Sequence, residues 1–175
     1  MNKKEGFTLI ELLVVVAIIS VLSSMILASL NTARLKGNIS KAQEEMHQMT
    51  LALELLNSDT GLNPDPDATK YPPGNCAYND PSGNNEVSLD TPQAGLFAED
   101  GNFPGWNGPY MKVPLDPWGT PYIFDEDFMC TDPIPVGCEG ITKNVWHRAI
   151  VSGGPNKSGV NIYDSDNVVQ ILCTR

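Results

Sequence analysis

The sequence predicts an α+β protein: one long N-terminal α-helix, its apolar half free and its C-terminal half packed on a head built around a small antiparallel β-sheet. Three observations carry this. Residues 12–33 are 22 consecutive uncharged positions, dominated by Leu, Val, Ile and Ala. No proline occurs before Pro64, so a single helix can run from Phe7 to about Asn57. Beyond it proline and glycine become frequent, and short runs of branched and aromatic residues alternate with turn formers, the pattern of strands joined by loops.

The apolar run is long enough to cross a hydrocarbon core of ~30 Å at ~1.5 Å per helical residue. A lone carboxylate, Glu11, stands just before it. Lys3 and Lys4 lie on the near side and favour a cytoplasmic N-terminus, although Arg34, Lys36 and Lys41 flank the far side. From residue 34 the helix changes character. Leu35, Ile39, Ala42, Met46, Met49, Leu53 and Leu56 recur in steps of four and three, an amphipathic stripe for a head to pack on, with a coiled coil as the other use of such spacing. The whole helix would be ~75 Å long. Gly37 costs ~1 kcal/mol relative to Ala and marks a flexible spot.

Charge is unevenly spread. The first 57 residues balance five Lys/Arg against five Asp/Glu, so residues 58–175 hold 6 basic and 16 acidic groups and the whole formal charge of −10. An acidic head repels phosphates, which argues against non-specific nucleic-acid binding and suits solubility or cations. All four cysteines, Cys76, Cys130, Cys138 and Cys173, fall in this part. An even count outside the cytoplasm suggests two disulfides with three possible connectivities. The spacing of Cys130 and Cys138 suits a local loop, which would leave Cys76 for Cys173. A zinc site is a poor reading, because no Cys-x-x-Cys is present and both histidines are remote from the cysteines in sequence.

Residues 58–92 read as loop, 91–99 as a short helix and 101–109 as turns. Strands are expected at 122–124, 145–151, 161–163 and 168–173.

The N-terminal run Lys3-Lys4-Glu5-Gly6-Phe7-Thr8-Leu9-Ile10-Glu11-Leu12 resembles the processing motif of the type IV pilin superfamily. An ordinary secretory signal loses its apolar region on cleavage; here the only cut site with family support precedes it. The resemblance implies that residues 1–6 are a leader, that a membrane peptidase cleaves between Gly6 and Phe7, that the new Phe7 amine is methylated, and that Glu11 takes part in assembly. Residues 7–33 would then be the transmembrane and filament-core helix, 34–57 the stem and 58–175 the periplasmic or extracellular head. Ala28 stands where many members carry a proline. A second stretch, Gly108-Pro109-Tyr110 followed by Asp116-Pro117-Trp118-Gly119-Thr120-Pro121-Tyr122, is similar to a pattern of the major pseudopilins of type II secretion systems. Physically it reads as turns plus a large group, Trp118, to bury against the stem.

The second resemblance also implies a calcium loop near the C-terminus. Asn156 falls on the first ligand position, Asp164 and Asp166 near a later acidic pair, and Gly153 and Ser158 where backbone carbonyls would bind. The pattern departs from that family: Asn replaces Asp at 156, Lys157 stands where Gly is common, and Ser165 separates the two aspartates. A solvated turn is the competing reading.

The function implied is structural: a helical filament of identical subunits, a pseudopilus driving export across the outer membrane, or alternatively a surface pilus for adhesion, motility or DNA uptake. Implied partners are copies of the chain, the prepilin peptidase, an inner-membrane assembly platform and minor pseudopilins, with an inner-membrane single-pass location. Catalysis is not expected: no Gly-x-Ser-x-Gly, His-Glu-x-x-His or phosphate loop is present, and His47 and His147 lie on helix-like and strand-like runs.

Overall fold

A computed structural model describes residues 7–64, 86–158 and 163–173. The elements are helix α1 (Leu9–Thr60), strand β1 (Val87–Ser88), a 3₁₀ turn (Pro92–Ala94), and strands β2 (Ile123–Met129), β3 (Trp146–Ser152) and β4 (Val168–Cys173). Two compact units divide the chain, Met1–Gly37 and Asn38–Arg175. The helix is unbroken through Ala28, as expected where no proline removes a backbone donor.

Within the second unit the helical stripe is buried. Ala42, Met46, Met49, Ala52, Leu53 and Leu56 join Val87, Leu89, Leu96, Phe103, Tyr122, Phe124 and Ile150 in one core. Ile39 packs at its edge, whereas Leu35 is exposed. The periodic residues serve head packing, and the spacing of i, i+3 and i+4 is what places them on one face.

The four strands form an antiparallel meander in the order β1-β2-β3-β4. Strand β2 runs five residues beyond the expected 122–124, through Asp125-Glu126-Asp127. An acidic run reads as turn, yet here Asp125 and Glu126 are buried. Glu126 is tolerated because Arg148 of β3 lies 3.2 Å from its Oε1, with both side chains largely shielded. Arg148 also sits over the Phe124 ring at 5.9 Å. The register slips between Asp125 and Phe128, a bulge that absorbs the extra residue. Strand β1 and the 3₁₀ turn replace the loop and helix expected at 87–99. Tyr163 is not in a strand; the rest of the run expected at 161–163 lies outside the described residues.

Cys130 and Cys138 are joined in a disulfide, both buried in a second apolar cluster with Phe128, Ala149, Val151 and Val169. Cys173 is also disulfide-bonded, and Cys76, its expected partner, lies outside the described residues. Closing so short a loop restricts the unfolded chain by about 2–3 kcal/mol. Replacing Cys130 and Cys138 together by Ser should destabilise the head by that amount, read as a lower melting temperature. Fluorescence of Trp106, Trp118 and Trp146, all in the second unit, gives the readout.

Asp125 generates a pH dependence. Burial pushes its carboxyl up to about 7, offset in part by the Tyr163 phenol and by the Asp127 N–H that donates to Oδ1 at 2.8 Å. A carboxyl raised on folding adds stability that is complete below the ordinary aspartate value and lost as pH rises through about 7. The head should therefore melt at a lower temperature near pH ~8 than near pH ~5 through this group. Asp125→Asn should flatten the difference. A mutant profile parallel to that of the wild type would exclude Asp125 as its source.

Candidate processing and assembly site

The N-terminal segment is built from Phe7 upward. Phe7 and Thr8 precede the helix, and Phe7 is exposed; Gly6 lies outside the described residues. Thr8 caps α1. Its hydroxyl accepts from the Glu11 N–H at 3.3 Å, and Glu11 Oε2 accepts from the Thr8 N–H at 2.8 Å and from the Thr8 hydroxyl at 2.7 Å. This is a reciprocal capping box: Thr at the cap and Glu three residues on satisfy each other's otherwise unpaired backbone donors. Thr-x-x-Glu before an apolar run is a legible signal for it, and reading Glu11 only as a lone charge missed Thr8 as its partner. In the single chain the carboxylate is thus held at the helix N-terminus, where the helix dipole also favours it.

Behind this cap the helix presents apolar side chains on every face. Its most apolar 18-residue window has a mean hydropathy of 2.7, and none of it is buried. Length and composition are those of a membrane-crossing helix.

The second motif forms clamps between the head and the helical stripe. The Tyr110 hydroxyl donates to Asp59 Oδ2 at 2.9 Å and accepts from the Asn107 N–H at 3.0 Å. The Tyr122 hydroxyl donates to Glu45 Oε2 at 2.6 Å. Burial, and then the Glu45 carboxylate, hold the Tyr122 phenol well above its ordinary value, so it remains a donor. Trp118, expected as the buried anchor, is only half-buried; Tyr122 is fully buried and takes that place. The Trp106 indole N–H donates to the Gly95 carbonyl at 2.7 Å.

Asp116 is the buried centre of the motif. Its Oδ1 accepts from the N–H groups of Trp118 (3.0 Å) and Thr120 (2.8 Å). Its Oδ2 accepts from the hydroxyls of Thr120 (2.7 Å) and Ser152 (2.5 Å). The Ser152 oxygen in turn accepts from the Gly154 N–H at 3.2 Å, which leads into the loop where calcium was expected.

In that loop Asn156, Ser158, Asp164 and Asp166 come together as hydrogen-bond partners, and the Gly153 backbone lies close to that of Ser158. The Asn156 amide donates to Asp164 Oδ2 at 2.7 Å, and its oxygen accepts from the Ser158 N–H at 2.8 Å. Asp164 Oδ1 accepts from the Asp166 N–H at 2.9 Å. Only Asp164 and Asp166 are anionic, and both oxygens of Asp164 are engaged by donors. Among the described residues no group of three or more His, Cys, Asp or Glu is placed to hold a metal ion. Calcium needs six to eight oxygen ligands, and residues 159–162 of this loop lie outside the described residues. Of the two histidines, His47 is exposed on α1, and His147 is buried on β3 with Nε2 3.0 Å from the Thr142 carbonyl oxygen.

Residues 1–27 match the family model of the prokaryotic N-terminal methylation motif. The chain is also similar to the type II secretion system core protein G of Escherichia coli (strain K12), with 28% identity over 70% of this chain and 72% of the relative. Its similarity to the core protein G of Pseudomonas aeruginosa is 26% over 70% and 74%, and to that of Klebsiella pneumoniae 27% over 70% and 74%. The chain thus carries the methylation motif at its start and is similar over most of its length to proteins named core protein G. No solved structure matches it. The capped start of the apolar helix lies within the residues that match the methylation motif.

Removing Asp116 tests the clamp. Asp116→Ala deprives four donors of their acceptor in a buried place and should cost about 3 kcal/mol or more. The full chain in detergent should show the loss as a lower melting temperature of the tryptophan signal, with the helical circular dichroism of the apolar segment retained.

Proposed function

We propose that this chain is the major pseudopilin of a type II secretion system, a structural subunit of a short periplasmic filament that drives protein export. The observation that carries the reading is the capped, wholly exposed apolar helix with Glu11 at its start, in a chain similar over most of its length to proteins named core protein G. Residues 7–33 anchor the subunit in the inner membrane, with the N-terminus cytoplasmic and the acidic head outside, until the leader is removed.

Cleavage between Gly6 and Phe7 by the prepilin peptidase frees a Phe7 amine, which is then methylated. A carboxylate in an apolar place costs several kcal/mol at the membrane centre and less near an interface. In a staggered bundle, Glu11 of one subunit neutralises the Phe7 amine of a neighbour, which fixes register as well as adding attraction. Before cleavage that amine does not exist, so processing gates assembly. Repetition of one head-to-tail contact that does not close makes a helical filament. The inner-membrane platform and minor pseudopilins are the assembly partners this role requires. Nothing in the role calls for catalysis.

Three measurements check it. Mass spectrometry of the mature protein should find a chain beginning at N-methylated Phe7, and Glu11→Ala should be cleaved and inserted as the wild type is but should yield few filaments. Deleting the gene should leave exported proteins in the periplasm. Unchanged export with loss of surface filaments would move the assignment to a surface pilus.

A further inference from the structure

Two asparagine side chains tie together the loop after β3. Asn167 is completely buried. Its amide nitrogen donates to two backbone carbonyls, Ser158 at 3.1 Å and Ser152 at 3.3 Å, while its oxygen accepts from the Asp164 N–H at 2.6 Å. Its own N–H donates to the Asp164 carbonyl at 3.2 Å, and its carbonyl accepts from the Val136 N–H at 3.3 Å. One neutral carboxamide therefore joins both ends of 152–158 to 164–167. Asn156 makes the second tie, to Asp164 at 2.7 Å.

The backbones close around these ties. A Cβ on Gly154 would lie 1.9 Å from the Asp166 carbonyl oxygen, and one on Gly153 would lie 2.7 Å from that of Ser158. The glycines let the two segments approach until an amide spans them. A cation between carbonyl oxygens and an N–H₂ between the same oxygens solve one problem, the convergence of partial negative charges. The amide does so without a dehydrated ion and without excess carboxylates, and both Asn156 and Asn167 are neutral where a cation site wants charge.

We propose that this loop is closed by the carboxamides of Asn167 and Asn156 in place of calcium, so that the head folds independently of divalent cations. Asn167 is the positioning residue; through Ser152, which also holds Asp116, it links the C-terminal loop to the 116–122 turn.

The test uses the full chain in detergent, with tryptophan fluorescence as the melting signal. The wild type should show the same melting temperature in EDTA and in millimolar CaCl₂, and no binding heat on titration with CaCl₂. Asn167→Ala should lower the melting temperature by several degrees equally in both solutions, and Asn167→Asp, which turns an anionic oxygen on two carbonyls, should lower it at least as far in EDTA. A melting temperature of the wild type that rises with CaCl₂, or an Asn167→Ala protein as stable as the wild type, overturns the proposal. If Asn167→Ala does not fold, the wild-type comparison in EDTA and CaCl₂ still decides.

Discussion

An apolar helix that its own chain does not cover is the constraint on which the rest of this molecule turns. Its most apolar window is entirely unburied, and burial of apolar surface is the dominant favourable term in folding and association. Such a surface is stable only in lipid or against other apolar helices. A subunit with this segment must therefore be either in a membrane or in an assembly, and passing from one to the other needs a signal. In the assembly proposed above, Glu11 and an amine freed at Phe7 would be that signal. In the single chain Glu11 is occupied by Thr8, so its charge is already solvated by hydrogen bonds at the helix start.

The head faces a different problem, that of fixing its orientation on a helix whose buried stripe is apolar. Two tyrosines of one motif reach two carboxylates on α1, Glu45 and Asp59, which are 14 positions apart, ~21 Å along the axis. Apolar packing along the helix is forgiving of a slide by one turn, because the pattern repeats every three to four residues. Paired hydroxyl–carboxylate bonds at a fixed separation are not. Asp116 holds the intervening turn rigid by accepting from four donors, so the separation of the two tyrosines is set by the turn itself.

The long helix, the membrane-length run, the buried stripe and the sheet were legible because they follow from periodicity and composition, which are local. The stripe erred only at its start, where Leu35 belongs with the free segment. Strand β2 runs past the expected 124 through Asp125, Glu126 and Asp127; Arg148, 22 residues from Glu126, is what lets that carboxylate lie in a sheet. Trp118 was overrated by size alone, since depth of burial depends on where the turn delivers each ring. The residues of the calcium pattern did converge, and Asn156, Ser158, Asp164 and Asp166 are tied to one another by hydrogen bonds.

By itself the sequence determined what is encoded within a few neighbouring residues: the apolar span, the Thr8–Glu11 cap and its cleavage context, and the turns of the 108–122 motif. Only the tertiary structure decided which distant polar groups meet. Tyr122 finds Glu45 across 77 positions, Asp116 finds Ser152 across 36, and Asn167 finds Ser152 across 15. A hydrogen bond holds only over about 3 Å, and a separation in sequence fixes no such distance until the chain is folded.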